Sequence, residues 1–325
     1  MKKKGNLVKF IIALVIIILI PIATPNMYIM QIINLIGIYI ILGTGINVLT
    51  GYTGQLSLGQ AAFFGIGAYA TALLNTRAGL PFIPCLIGSV LLTAVFGVIL
   101  AVPALKVKGS YLALLTMGFG EVVRIVMINW TPVTNGTAGI IGIESASIFG
   151  FTFDTLKKYY YLIVVFVVLC LLYQNVLVKT RTGRAFIAIR EDNEAAELTG
   201  INVTTYKIRA FVLSAVYCGI AGCLYAMMIR YVSPDTFTSN TSSVILWTAI
   251  VGGFGTVIGP VIGGVIMQVL PEALRFLGDW RLVVYGAVLL IVILRFPGGL
   301  YPYVQKLFNK RKDGTVSAAA PVRKE

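Results

Sequence analysis

Long apolar runs, broken by short polar or glycine-proline punctuation, cover residues 7–23, 28–49, 55–75, 82–104, 109–130, 158–178, 207–229, 242–270 and 281–297. Most of these runs reach the roughly 20 residues that a helix needs to cross about 30 Å of hydrocarbon. None alternates with the period of a barrel strand, so each reads as a helix, the structure that satisfies its own backbone in lipid. Turn signals separate them at Pro25-Asn26, Gly51-Tyr52-Thr53-Gly54, Gly79-Leu80-Pro81 and Ser233-Pro234-Asp235. The pattern predicts an all-α polytopic bundle of about 9–10 transmembrane helices.

The 242–270 run is too long for one ordinary span, and Gly252-Gly253-Phe254-Gly255 and Gly259-Pro260 interrupt it. Charge makes the same point. With the N-terminus inside, alternation puts Lys106, Lys108, Lys179, Arg181, Arg184, Arg190, Lys207 and Arg209 inside, but nine simple spans would leave the basic tail outside. A broken or re-entrant segment at 242–270 returns the tail to the cytoplasm. Nineteen of the 26 basic residues then lie inside and six outside, with Arg124 within a span. The reading is a transmembrane unit over 1–308, with a cytoplasmic loop at 179–206, and a polar tail over 309–325 that is expected to be disordered. The Lys-rich start, Lys2 to Lys9, resembles a signal peptide. A retained first helix is favoured, because the apolar run continues through Pro21 and Ile22 without a small-x-small cleavage site.

Composition agrees with the pattern. Of 325 residues 58% are hydrophobic and 12% charged, about half the charge of a soluble domain. The net charge of +14 is that of loops facing anionic headgroups, not of a nucleic-acid binder. Cys85, Cys170, Cys218 and Cys223 all sit in apolar runs, form no CxxC pair and meet no histidine, so they read as small hydrophobes and no metal site is assembled. The sequence has no GxxxxGK[ST] phosphate loop and no GxSxG or HExxH motif. It gives no sign of an enzyme.

Three constellations remain. The glycine-rich stretch 51–74 carries Gln55, Ser57, Gln60 and Tyr69, which suit either a water-filled path or close packing. Glu121 and Arg124, three apart on a span, share a face as a structural ion pair or as part of that path. Ser214, Cys218, Gly222 and Ala226 recur every fourth residue, and Gly255, Gly259 and Gly263 repeat the spacing; both read as helix-packing seams. The loop at 131–157 is either a docking surface for a substrate-delivering protein or a connector.

The polar interruption EDNEAAELTG, Glu191–Gly200, holds four of the twelve acidic residues and cannot lie in hydrocarbon. Its Glu194-Ala195-Ala196-x-x-x-Gly200 spacing resembles the loop by which ABC-importer permeases engage an ATPase. More widely, the chain resembles the branched-chain amino acid ABC importer permeases of the LivM type. The likeness rests on LTGYTGQLSLGQAAFFGIGAYATALL (49–74), GSYLALLTMGFGEVVRI (109–125), TNGTAGIIGI (134–143), TRTGRAFIAIREDNEAAELTGINVTTYKIRAFVLSAVYCGIAGCLYA (180–226), GGFGTVIGPVIGG (252–264) and RFPGGL (295–300). The extreme N-terminus matches nothing in particular.

That resemblance implies a heterodimer with a second permease subunit of the LivH type. It also implies two cytoplasmic ATPases that use the ATP, an extracytoplasmic protein delivering leucine, isoleucine or valine, and the cytoplasmic membrane of a prokaryote. No cofactor is implied for this chain. The ATPase-coupling loop would comprise Arg184, Arg190, Glu191, Glu194, Ala195, Ala196, Glu197 and Gly200, with Ala195 and Ala196 as the small residues at the contact. Related permeases carry urea or short amides. An autonomous secondary transporter is the rival of another class.

Overall fold

A computed structural model describes residues 21, 24, 26–107, 109–148, 150–296, 298–303 and 305. The anticipated first span at 7–23, Pro21 apart, and the tail at 309–325 lie outside the described residues. Asn26 caps the first described helix, its side chain accepting from the Tyr28 amide at 2.9 Å. That helix, α1 (Met27–Ile46), continues through a π-helical turn, Asn47–Tyr52. There follow α2 (Gln60–Ala78), α3 (Phe82–Ala104), α4 (Ser110–Asn129) and α5 (Leu156–Lys179). Two short helices, α6 (Arg181–Glu191) and α7 (Asn193–Leu198), lead into α8 (Val203–Ile229). The chain ends in α9 (Ser239–Gly252), α10 (Gly259–Ala273) and α11 (Arg281–Arg295).

Five of these elements are long and apolar enough to cross a membrane: Met27–Tyr52, α3, α4, α5 and α8. Their environments differ. The most apolar windows of Met27–Tyr52 and α8 are 72% and 67% buried, whereas those of α3, α4 and α5 are 28–33% buried. Hence α1 and α8 are inner pillars, and the other three turn Leu91, Ile99, Leu114 and Leu172 outward, as lipid-facing helices do. In lipid, packing rather than water exclusion holds helices together, which is why small residues decide the contacts. α8 packs most extensively on α3 and α2.

The Ser214–Cys218–Gly222–Ala226 face is that contact. Gly67 and Gly219 meet directly, Gly97 lies against Ala215, and the Ser89 hydroxyl donates to the Gly219 carbonyl at 2.9 Å. A Cβ on Gly222 would stand 2.6 Å from both the Phe64 carbonyl oxygen and the Ala68 amide nitrogen, backbone atoms that cannot step aside. Gly222→Leu is therefore expected to cost about 1–3 kcal/mol or more of overpacking strain. The purified chain should melt several degrees lower, whereas Gly286→Leu, where a Cβ meets open space, should leave the midpoint unmoved. Equal melting of the two variants would remove the seam from this account.

The structure refines two of the anticipated spans. The 55–75 run becomes helical only at Gln60. Residues 54–59 are irregular chain, held by the Gln55 amide on the Leu49 carbonyl at 3.2 Å and the Leu58 amide on Thr116 Oγ1 at 2.9 Å. The 242–270 run is a broken pair. α9 and α10 form an antiparallel hairpin around the turn 253–258, with Gly252 against Gly259 and Gly263 against Thr248, where even a methyl group would collide with backbone. Only Gly259 and Gly263 of the anticipated three-glycine seam lie on α10. Gly255 is in the turn, at φ +71°.

The hairpin supplies two passes where one run stood: α9 runs toward the end of the bundle that carries α6 and α7, and α10 runs back. α11 then returns, and the Leu300 amide donates to the Val251 carbonyl at 2.9 Å. At the opposite end the 131–157 loop pairs Ile140–Ile141 with Tyr231–Val232 and closes a second two-stranded ribbon, Ser147–Ile148 with Phe151–Thr152. These small ribbons are the strand content of the described residues, and the fold is an all-α polytopic membrane bundle.

Candidate functional site

The loop between α5 and α8 is built from caps. Thr180 ends α5 and begins α6, its hydroxyl donating to the Leu177 carbonyl at 2.7 Å and accepting from the Gly183 amide at 3.3 Å. α6 is amphipathic: Gly183, Ala185, Phe186 and Ile189 are buried, while Arg181, Arg184 and Arg190 lie on the exposed side. Asp192 leaves the helical region and caps α7, Oδ1 accepting from the Glu194 and Ala195 amides at 2.8 and 3.2 Å. An aspartate at this position also suits the helix dipole. α7 ends at Gly200, whose φ of +85° favours glycine. The Ile201 amide closes the motif on the Ala196 carbonyl at 3.2 Å.

The result is a protruding tip. Glu191, Glu194, Ala195, Glu197 and Gly200 are exposed, and Leu198 is 90% exposed. Ala196 is not at this surface. It is 3% exposed and packs inward, so Ala195 is the small residue on offer, not the pair. Leu198 escaped the sequence reading because a lone leucine in a six-residue helix has no periodicity to reveal its face. Arg184 stays at the rim, its guanidinium near the Lys179 carbonyl at 3.3 Å.

Arg190 turns toward the bundle. Its Nη1 donates to the Gly51 carbonyl at 2.8 Å, in the π-helical end of α1. A Cβ on Gly255 would come within 2.9 Å of the same nitrogen, and one on Gly54 within 3.3 Å of Arg190 Cγ. Asn47 completes the junction. Its Nδ2 donates to the Thr256 carbonyl and its Oδ1 accepts from the Gly255 amide, each at 2.8 Å. One arginine and one asparagine thus tie α6, the end of α1 and the α9–α10 turn to each other. A π-turn at such a place is a frequent mark of function.

The candidates on the spans fall into two groups. Gln60, fully buried, accepts from Ser214 Oγ and from Cys218 Sγ, both at 3.0 Å, and so fastens α2 to the α8 seam. Its Nε2 has no hydrogen-bond partner among the described residues. Gln55 is buried and donates to Thr53 Oγ1 at 2.9 Å, and Ser57 accepts from the Gly59 amide at 3.3 Å. Tyr69 packs edge-on to Phe237, its buried hydroxyl without a hydrogen-bond partner among the described residues.

Glu121 and Arg124 form the second group, on the outer face of α4. They pair at 3.0 Å with side chains 37% and 29% exposed, and Ser239 at the start of α9 donates to the carboxylate at 2.6 Å. Beside them a Cβ on Gly118 or Gly120 would meet open space. A charged pair and bare glycines on an exposed helix face are poorly matched to hydrocarbon.

Comparison with known proteins agrees with this architecture. The family model described as branched-chain amino acid transport system / permease component matches residues 28–293. The high-affinity branched-chain amino acid transport system permease protein LivM of Salmonella typhimurium is 35% identical over 324 residues, covering 92% of this chain and 76% of that protein. LivM of Escherichia coli K12 matches at the same identity and coverage. The fructose import permease protein FrcC of Rhizobium meliloti is 34% identical over 141 residues, 41% of this chain. No solved structure matches. The chain belongs to the permease-component family of branched-chain amino acid transport systems.

Proposed function

We propose that this chain is the membrane-spanning half of an ATP-driven importer for branched-chain amino acids. It pairs with a second permease subunit of the LivH type, and two ATPase subunits grip α6 and α7. An extracytoplasmic protein delivers leucine, isoleucine or valine to the opposite end, over the 131–157 loop. The observation that carries this reading is the α7 tip: an exposed leucine within an acidic rim, on a helix that follows α6, which Arg190 ties to the end of α1. ATP-driven closure of the partners moves α6, the junction passes the displacement to α1 and the hairpin, and access alternates between the two ends.

The α6–α7 end is assigned to the cytoplasm, since it carries Lys106, Lys179, Arg181, Arg184, Arg190, Lys207, Arg209 and Arg295 in or beside its loops. The face of α4 with Gly118, Gly120, Glu121 and Arg124 is assigned to the interface with the second permease subunit. There a partner covers what lipid would not. Gln55, Ser57, Gln60 and Tyr69 supply the interior polarity near the path.

Co-purification of the tagged chain from its native membrane, with mass spectrometry of what stays bound, tests the reading. Recovery of ATPase subunits and a second permease is expected, along with uptake of labelled leucine rather than urea by the reconstituted assembly. A chain that transports while purifying alone would overturn the importer reading in favour of an autonomous transporter.

A further inference from the structure

α5 and α8 stand side by side yet touch little, and the space between them is a groove open on the outer side of the bundle. Its inner half, about 320 Å³, is walled by Phe166, Cys170, Tyr173, Leu213, Tyr217 and Ile220. A second hollow of about 320 Å³ shares Tyr173 and Leu213 with it and continues past Leu177 to Thr182 and Arg209. Together they extend along α8 from Ile208 to Ile220, roughly 18 Å at 1.5 Å per residue. That is a little more than half of a 30 Å hydrocarbon core, the depth of one leaflet.

Polarity along the groove is confined to one end. The floor offers no free donor at Tyr217, because its hydroxyl is spent on the Cys170 carbonyl at 3.2 Å. The flank on α5 exposes Leu169, Leu172 and Val176, an outward apolar surface of the kind that meets acyl chains. At the α6 end stands Arg209. Its guanidinium lies over the Tyr206 ring at 5.2 Å, and that ring is braced edge-on by Phe186 of α6. Arg209 has no carboxylate partner among the described residues, and Lys179 and Arg181 flank the Thr182 turn. An apolar slot one leaflet long, capped by a steadied and unneutralised guanidinium at headgroup level, matches one class of molecule.

The geometry points to a binding site for an anionic glycerophospholipid, one acyl chain lying between α5 and α8 and the headgroup phosphate on Arg209. The site does not depend on the transported substrate. It requires only that the bundle sits in a membrane with α6 at the surface. Phosphatidylglycerol bearing a diazirine in its acyl chain is the probe. The purified complex, reconstituted in mixed phosphatidylglycerol and phosphatidylcholine nanodiscs, is irradiated, and the labelled peptides are mapped.

Labelling is expected on the 166–177 and 208–220 segments, in preference to the same probe on a phosphatidylcholine headgroup. Arg209→Gln should lower retained phosphatidylglycerol about fivefold, the effect of one basic residue near a membrane surface. Leu213→Trp, which fills the groove, should remove the label, and Lys157→Gln at the opposite end should change neither. Arg209 is exposed, so its variant decides the matter even if Leu213→Trp folds poorly. Equal labelling by both headgroups, an unchanged Arg209→Gln, or crosslinks from these segments to a protein subunit would each overturn the assignment.

Discussion

Exchanging Leu198 for Asp and Glu194 for Lys on α7 is expected to release the ATPase subunits from the purified permease while leaving the permease folded in the membrane. Both side chains are exposed, and substitutions at such positions usually move stability by no more than about 0.5 kcal/mol. Their expected weight at an interface differs. Leu198 is the one large apolar group on the tip, and an anchor of that kind is worth about 2 kcal/mol or more when it fills a partner's pocket, roughly 30-fold in affinity. Glu194 is rim charge, which governs encounter and salt dependence more than residence, so Glu194→Lys alone should weaken capture most at low ionic strength. Gly200→Pro reaches the same end by another route. Proline cannot adopt a φ of +85°, and it removes the amide that donates to the Glu197 carbonyl at 2.9 Å, so the end of α7 unwinds. The check is the ratio of ATPase to permease in the pull-down, read beside uptake. Loss of folded permease in step with loss of capture would remove α7 from the docking role.

The sequence exposes those features that repeat at a helical or membrane period. The spans, the small-residue face of α8 and the break in 242–270 all follow from local periodicity or from charge parity, and each is a near-neighbour property of the chain. What stayed hidden depends on distant partners. Gly51 and Arg190 are 139 residues apart, and nothing in either neighbourhood announces that an exposed arginine will reach a backbone carbonyl of the bundle. Asn47 likewise sits in an apolar run and reads as a minor blemish until Gly255 and Thr256 arrive from more than 200 residues away. Ala196 is a different case: it lies seven residues after the buried Ile189 and eleven after Ala185, the same face at helical spacing, so its inward turn is a local property of the loop. The non-helical stretch at 54–59 depends on a distant partner. The Leu58 amide is held by Thr116 Oγ1 on α4, and Gly59 lies close against the Thr116 backbone, contacts no local propensity encodes.

The Arg190 junction yields the second large effect. In the assembled importer Arg190→Ala is expected to lower transport tenfold or more while ATP hydrolysis and ATPase capture persist, because the α7 surface is untouched and only its tie to the bundle is cut. The lost bond is charge-assisted, about 1.5–3 kcal/mol in a buried setting and nearer 1 kcal/mol here, since the side chain is partly in water. That is too little to unfold the chain, and enough to free α6 from the end of α1 and from the α9–α10 turn. Arg190→Lys should recover part of the loss, because a single donor reaches the Gly51 carbonyl and an ammonium can supply it, though without the planar packing against Gly255. Asn47→Ala should behave differently. It strands the Gly255 amide and the Thr256 carbonyl, each at a cost of about 1–3 kcal/mol when buried, and the expected first symptom is a lower melting midpoint. The discriminating measurement is the number of ATP molecules hydrolysed per substrate moved. It rises for Arg190→Ala if the junction transmits motion, and it stays constant, with both rates falling together, if Arg190 serves only docking.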